Sequence, residues 1–230
     1  MRFHANFAHI AASPTMFRLL NRSAPFVVGQ RSVPGFSEGQ LQMLMEALDG
    51  TPNGGTPLCQ HIREITEEIR VAATQLRSNN HRAIVVICTD GEASDGDMAA
   101  AIAPLKDLPV HLVIRLCTDD ERIGSYWNQI DQNLELGMDI LDDFRGEAQE
   151  THEHSPWLVY GEQLHRLREW GVIVKEFDLL DETKLSPEQM RAICAYMCVN
   201  FECILEPIFV SHDKLLFSCI TIQIIRWKSS

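Results

Sequence analysis

Two runs of consecutive apolar residues in the middle of the chain have the pattern of buried parallel strands. Residues 83–88 form the first run, which ends abruptly at Thr89, Asp90 and Gly91. Residues 110–117 form the second, which ends in the same way at Thr118, Asp119 and Asp120. Strands buried on both faces lack the alternation of apolar and polar residues seen in half-exposed strands. The intervening residues 98–103 are rich in alanine and predict a crossover helix between two parallel strands.

Three further stretches have the apolar spacing of amphipathic helices. The clearest carries Leu58, Ile62, Ile65 and Ile69, with charged residues on its other faces. A second helix is predicted from Ser37, as its N-cap, to Leu48. A third stripe runs from Tyr160 to Trp170, ends at Gly171, and is followed by a predicted strand at 172–174. Strands that alternate with helices in this way predict an α/β fold in which helices cover a mostly parallel sheet.

The last part of the sequence differs from the rest. We take residues 1–187 as one α/β domain and residues 188–230 as a separate C-terminal segment. Ser186 and Pro187 have the composition of a new helix start, and residues 215–225 form an apolar run. This run fits either a final buried strand of the sheet or a tail that packs elsewhere.

Composition and charge restrict the class of protein. The chain has 230 residues, of which 45% are hydrophobic and 23% charged, as in an average globular protein. The net charge is -12, which argues against a nucleic-acid binder that depends on neutralising phosphates. No run approaches the ~18 apolar residues that a membrane span requires. The seven cysteines, an odd number, favour reduced thiols and a cytoplasmic or other intracellular location.

The negative charge is absent from the beginning of the chain. Residues 1–37 contain neither Asp nor Glu, but they contain Arg2, Arg18, Arg22 and Arg31. This asymmetry is loosely compatible with a mitochondrial or plastid transit peptide, but we prefer the interpretation as ordinary elements of the domain.

Acidic residues cluster where the two predicted strands end. Ligands of parallel sheets bind at this carboxyl edge. A glycine-rich loop at Gly54, Gly55 and Thr56 adds a hydroxyl just before the amphipathic helix. Carboxylates and hydroxyls are the oxygen ligands that hard divalent cations prefer. The candidate binding face consists of Glu92, Asp95, Asp97, Asp119 and Asp120.

The loop at residues 54–58 (GGTPL), followed about thirty residues later by residues 84–92 (IVVICTDGE), resembles the von Willebrand factor A (VWA) domain family. The resemblance implies a Rossmann-like three-layer sandwich with Mg²⁺ or another divalent cation bound at the top of the sheet. Thr56 matches the family's metal-binding threonine, and Asp90 matches its metal-binding aspartate. The resemblance further implies a non-catalytic module that binds a protein partner, whose carboxylate completes the metal's coordination.

The sequence also departs from the family pattern. The DxSxS motif, which follows the family's first strand, is absent from the 230 residues. Residues 2–7 are similar to the family's second strand, so the resemblance implies that the first is missing and a central position of the sheet is empty. The metal site is then partial or vestigial, and the cation is bound weakly or not at all. The chain is either truncated at its start or a degenerate member of the family.

Other interpretations of the same residues stay open. Asp90 and Gly91 fit a simple turn after a strand, and Asp119 and Asp120 fit a helix start. A Mg²⁺-dependent phosphohydrolase or phosphotransferase would place metal on Asp90 and on Asp119 or Asp120. Such an enzyme needs a cation beside the phosphate, and the nearby candidates are Lys106, Arg115 and Arg122. A third alternative is a truncated gene product without function.

Overall fold

The structure is a computed structural model that describes residues 4–6, 8, 15–22, 24–29, 39–50, 54–134, 138–172, 174–205 and 221–225. Over these ranges the chain contains both strands and helices. They are β1 (Thr15–Leu19), β2 (Phe26–Val28), α1 (Gln40–Leu48), α2 (Leu58–Ser78), β3 (Ala83–Thr89), α3 (Met98–Ile102) with a 3-10 helix (Ala103–Asp107), β4 (Val110–Leu116), α4 (Glu121–Leu134), β5 (Met138–Leu141), α5 (Phe144–His154), α6 (Glu162–Glu169), α7 (Lys175–Asp178), α8 (Pro187–Leu205) and β6 (Thr221–Ile225).

The described strands form one six-stranded sheet in the order β2-β1-β6-β3-β4-β5. β2 pairs with β1 in the antiparallel direction and lies at one edge. Every other neighbouring pair is parallel. The prediction of an α/β protein with a mostly parallel sheet is therefore confirmed.

β6 lies in the centre of the sheet although it comes last in sequence. Ile222 of β6 pairs with Met16 of β1 on one side and with Val85 of β3 on the other. The resemblance implied an empty central position in the sheet; in the structure, a strand from residues 188–230 lies at the centre. The apolar run at 215–225 contributes residues 221–225 to the sheet, and its remainder lies outside the described residues.

Helices cover both faces of the sheet. On one face, Leu58, Ile62, Ile65 and Ile69 of α2 pack in a single core with strand residues of β3 and β4 and with residues of α3 and α4. The predicted amphipathic helix is therefore confirmed. On the other face, α1 packs on β1 and β2, and the segment after α6 lies against β3 and β4. The arrangement is a three-layer α/β sandwich.

Two predicted elements at the start of the chain are corrected. Residues 4–6 of the predicted strand are helical, and the rest of that strand (2, 3 and 7) lies outside the described residues; β1, the first described strand, begins at Thr15. Helix α1 begins at Gln40 with Gly39 as its N-cap, in a left-handed conformation that a residue without a Cβ adopts at little cost. The predicted N-cap, Ser37, lies outside the described residues.

The predicted strand at 172–174 is also wrong, because its first residue belongs to the end of a helix. The Gly171 N–H donates to the Arg168 carbonyl at 2.8 Å, and the Val172 N–H donates to the Leu167 carbonyl at 3.1 Å. This pair of bonds is the Schellman motif, which ends a helix on a left-handed glycine. Val174 then becomes the N-cap of α7, so no strand includes it; Ile173 lies outside the described residues.

Gly171→Ala is expected to lower the free energy of unfolding by about 2–4 kcal/mol. Gly171 has φ of 79°, and a Cβ there would lie 2.4 Å from Cγ2 of Ile84, a buried residue of β3. Alanine at this position would therefore strain the backbone, and its methyl group would clash with the core. Urea denaturation followed by circular dichroism measures the loss.

Gly39→Ala provides the matched control for this prediction. Gly39 has φ of 89°, but a Cβ there would have no atom within 4 Å. The Gly39→Ala variant therefore measures only the cost of placing alanine at a positive φ, about 1 kcal/mol of unfolding free energy. Equal losses in the two variants would contradict the close approach of Gly171 to β3.

Candidate functional site

Three loops meet at the carboxyl edge of the sheet. The Thr56 N–H donates to Oγ of Ser94 at 2.8 Å, and the Ser94 N–H donates to the Thr56 carbonyl at 2.9 Å. Nδ2 of Asn21, just after β1, donates to the Gly55 carbonyl at 3.1 Å. The glycine-rich loop is thereby fixed between the loops that follow β1 and β3. The two predicted loop motifs are brought to the same edge.

Asp95 connects the loop after β3 to helix α2. Its two carboxylate oxygens accept hydrogen bonds from the N–H groups of Cys59 at 3.0 Å and Gln60 at 2.8 Å. Burial by itself would raise the pKa of Asp95, but the bonds from Gln60 and Cys59 lower it below its usual value. Asp95 therefore satisfies free N–H groups at the start of α2.

Two other carboxylates of the candidate binding face also begin helices. Asp97 is the N-cap of α3 and accepts from the N–H groups of Ala99 and Ala100. Asp120 accepts from the Arg122 N–H at 3.0 Å and from its guanidinium at 2.7 Å, just before α4 begins. Glu92 and Asp119 are exposed. Three of the five predicted carboxylates thus have a structural role in addition to any binding role.

Thr56 and Asp90, the predicted metal ligands, flank this loop junction. Thr56 is 3% exposed, and Asp90 follows β3 directly and is half-buried. One hydroxyl and one carboxylate are suitable oxygen ligands, but a hard cation takes about six. The neighbouring Asp95 and Asp97 are held by backbone N–H groups. Thr56 and Asp90 therefore offer at most two of the oxygens that a divalent site requires, and the others would have to come from water or from a bound partner.

A larger feature, which the sequence did not reveal, lies beside these loops. A groove of about 960 Å³ runs from the ends of β4 and β5 between α4, α5 and the residues after α7. Most of the residues that line it are acidic; they are Asp119, Asp120, Glu121, Asp131, Asp139, Asp142, Asp143, Glu147, Glu150, Glu153, Asp178, Asp181 and Glu182. We call it the acidic groove. Its walls come from four distant stretches of sequence, which is why no local motif predicts it.

The carboxylates of the acidic groove repel one another. Burial raises the pKa of Asp131, and the charges of Asp139 and Glu182 raise it further. Burial raises the pKa of Asp178 to about 6, with a further contribution from Asp139. The negative charge of the groove is thus incompletely balanced by the arginines of the protein.

Glu147, Glu150 and Asp181 offer oxygens within 4.8 Å of one another, which is close enough for a metal ion. Arg168 already lies among them, however. Its guanidinium bonds to Oε2 of Glu147 and, at 2.9 Å, to Oδ2 of Asp181. The Asp142 N–H donates a hydrogen bond to the other carboxylate oxygen of Glu147, Oε1, at 2.9 Å. A guanidinium bound to two of the three carboxylates opposes a metal ion, so these residues do not fit a divalent centre.

A buried ion cluster links α6 to β4. Glu169 is fully buried and contacts Arg115 of β4, Arg166 at 2.6 Å, and two histidines, His4 and His165, each at 3.3 Å. Burial alone would raise the pKa of Glu169, but hydrogen bonds from His165 and His4 and the charge of Arg115 hold it well below its usual value. Glu169 is therefore ionised and fastens α6 to the sheet.

Two cations that a phosphoryl-transfer site would require are already paired. Arg115 is bound to Glu169, and Arg122 is bound to Asp120. A phosphate at the carboxyl edge would have to compete with these carboxylates for Arg115 and Arg122.

The comparisons with known proteins give no relative. No protein-family model, no curated protein and no solved structure matches the chain. Among the described residues, every helix is too short or too polar to cross a bilayer.

Proposed function

We propose that this chain is a non-catalytic protein-interaction module of the VWA type, which contacts its partner at the carboxyl edge of the sheet. The junction of the loops carries the proposal. The reciprocal hydrogen bonds between Thr56 and Ser94 hold the glycine-rich loop against the loop after β3. Two loops fixed to each other by hydrogen bonds present a rigid surface, which lowers the entropic cost of binding.

In this proposal Thr56 and Asp90 hold a divalent cation weakly, and the partner supplies further oxygens. The cation would supply Lewis-acid attraction for a carboxylate of the partner. Thr56 and Asp90 position the ion through their own oxygens, while Asp95 and Asp97 support the loop by capping α2 and α3. The site is thus incomplete until the partner binds.

Mn²⁺ titration monitored by electron paramagnetic resonance tests the metal site. We expect a dissociation constant of about 10⁻⁴–10⁻³ M, the range of weak oxygen-ligated sites. Thr56→Val and Asp90→Asn each remove one oxygen ligand, so each is expected to weaken binding by about tenfold or more. Glu92→Gln, an exposed carboxylate of the same loop, is the matched control and should leave the affinity unchanged.

Binding of Mn²⁺ elsewhere on this acidic protein must be separated from binding at Thr56 and Asp90. A triple variant of the acidic groove (Asp119→Asn, Asp131→Asn, Glu150→Gln) removes three carboxylates from the groove and none from the loop junction. If this variant loses the Mn²⁺ site while Asp90→Asn keeps it, the assignment to Thr56 and Asp90 is wrong.

A further inference from the structure

An exposed apolar surface lies at the loop between α5 and α6. Trp157 is 58% exposed and Val159 is 87% exposed. Phe144, at the start of α5, is 41% exposed. Large exposed apolar side chains are frequent at interaction sites, and tryptophan is prominent among the residues that dominate binding energies. We call Phe144, Trp157 and Val159 the apolar rim.

Contacts within the protein hold the apolar rim in place. The Phe144 ring lies beside Tyr160, with ring centroids 6.1 Å apart, and beside His165 at 5.7 Å. Tyr160 is buried and directly follows Val159. A hydrogen bond from the Leu158 N–H to the Ser155 carbonyl at 2.9 Å closes the turn that carries Trp157. The turn that carries Trp157 is therefore closed by a hydrogen bond, and Phe144 packs on the buried Tyr160.

Residues of the apolar rim are close in sequence to residues that line the acidic groove at two places. Phe144 lies between Asp143 and Arg145, both of which line the groove. Trp157 follows three residues after His154, another lining residue. Phe144 also packs on Tyr160, whose hydroxyl accepts a hydrogen bond at 3.2 Å from Arg168 of the groove lining. The rim would favour an apolar side chain of a partner, and the groove would favour its cationic side chains. A single partner segment could carry both.

We propose that the apolar rim and the acidic groove together dock a segment of a partner protein that carries lysine or arginine residues beside an apolar anchor. The anchor packs on Trp157 and Phe144, and the basic residues lie in the groove. This inference rests on the proposed function of the chain as an interaction module, and it adds the chemistry of the partner.

Charge and size support a protein segment as the occupant. A groove of about 960 Å³ has room for several side chains of a partner segment. Asp119, Asp131 and Glu150 lie in its lining, and cations from a partner would relieve the repulsion between such carboxylates. A simple polyamine would satisfy the charge but would leave the apolar rim exposed to water.

Fluorescence anisotropy with labelled fifteen-residue peptides, a length we chose, tests the proposal. The first peptide combines arginine and leucine, the second replaces leucine by serine, and the third replaces arginine by glutamate. We expect the arginine–leucine peptide to bind best, the arginine–serine peptide at least several-fold more weakly, and the glutamate peptide not at all. Binding should weaken as salt is added, because the interacting charges are partly screened.

Two pairs of variants identify the docking surface. Trp157→Ala is expected to weaken binding of the arginine–leucine peptide by about tenfold or more. Val71→Ala, an 88% exposed residue of α2 outside the rim, is its control and should have no effect. The groove triple variant should also weaken binding. A second triple variant (Glu46→Gln, Glu67→Gln, Asp107→Asn) makes the same change in net charge outside the groove and should not.

Several outcomes would overturn the proposal. Equal weakening by the two triple variants would show attraction to the net charge of the protein alone. If the arginine–serine peptide or spermine bound as tightly as the arginine–leucine peptide, an apolar anchor would be excluded. Absence of peptide binding up to millimolar concentration would also reject this partner chemistry. Mn²⁺ binding that persists at Thr56 and Asp90 in that case would leave the proposed function standing, so the two failures are distinguishable.

Discussion

Glu169→Ala is expected to lower the free energy of unfolding by about 3–5 kcal/mol, the cost of removing one partner from a buried ion pair. Glu169 is fully buried, and its carboxylate contacts Arg115, Arg166, His4 and His165. The variant would leave cationic groups near the sheet without their counter-charge and would also create a cavity. Urea denaturation monitored by circular dichroism and tryptophan fluorescence measures the loss.

Glu162→Ala on the same helix is the matched control. Its carboxylate pairs with Arg166 at 3.1 Å but is 64% exposed. Exposed pairs contribute little, so we expect a change of about 0.5 kcal/mol or less. If the two variants lose similar stability, Glu169 is not the buried connection between α6 and β4.

The stability of the folded protein is expected to fall at acidic pH because of Glu169. Because the pKa of Glu169 is lowered in the folded protein, its ionised form stabilises the fold above the ordinary carboxyl pKa. That contribution is lost as the pH falls through and below about 4.3, the value for an unperturbed glutamate. The wild type should therefore lose more stability on acidification than Glu169→Ala. A steeper loss in the variant would contradict the lowered pKa.

Ile222→Pro is expected to abolish cooperative unfolding altogether. Ile222 lies in β6, which pairs with β1 on one side and β3 on the other. Proline has no N–H to donate and fixes its φ, and it is found within sheets almost only at edges and bulges. A break at this position would separate β2 and β1 from the other three strands. A thermal melt followed by far-ultraviolet circular dichroism would show a broad slope without a transition.

Ile222→Val separates the backbone effect from the side chain. Valine keeps the N–H and the preference for strands, so we expect a cost of at most about 0.5–1.5 kcal/mol. If the proline and valine variants melt with the same midpoint, β6 does not occupy the centre of the sheet.

Those parts of the fold that depend on local periodicity were predictable from the sequence. The spacing of Leu58, Ile62, Ile65 and Ile69 predicts α2, and the continuous apolar runs predict β3 and β4, because burial of one helix face or of both strand faces leaves a local signature. The strand predicted at 172–174 failed for an equally local reason. The Schellman motif at Gly171 uses the Val172 N–H to end α6, and apolar composition does not reveal this use.

The pairing of distant segments was much less predictable. The apolar run at 215–225 fits either a strand or a tail, and only the sheet order places residues 221–225 between β1 and β3. The same limit applies to Glu169, which looks like an ordinary charged residue of an amphipathic helix. Its burial depends on contacts with β4 and with His4, far away in sequence.

The candidate site was predicted in part. The loop residues Thr56 and Asp90 follow recognisable motifs and come to one edge, as parallel strands require. The structural role of Asp95, in the loop after β3, was not predicted, because its partners Cys59 and Gln60 belong to α2, which precedes β3 in sequence. The acidic groove was not predicted either, since its walls converge only when α4, α5 and the residues after α7 pack together.

The central place of β6 has a consequence for synthesis of the protein in the cell. Chains emerge from the ribosome in sequence order, at about 5–20 residues per second, and domains fold once their elements are available. β1 and β3 emerge early, yet the strand that joins them, residues 221–225, emerges late. Until then each of the two strands has an unpaired edge that can pair with other chains. A nascent chain stalled before residue 221 should therefore depend on chaperones, whereas the released protein should not.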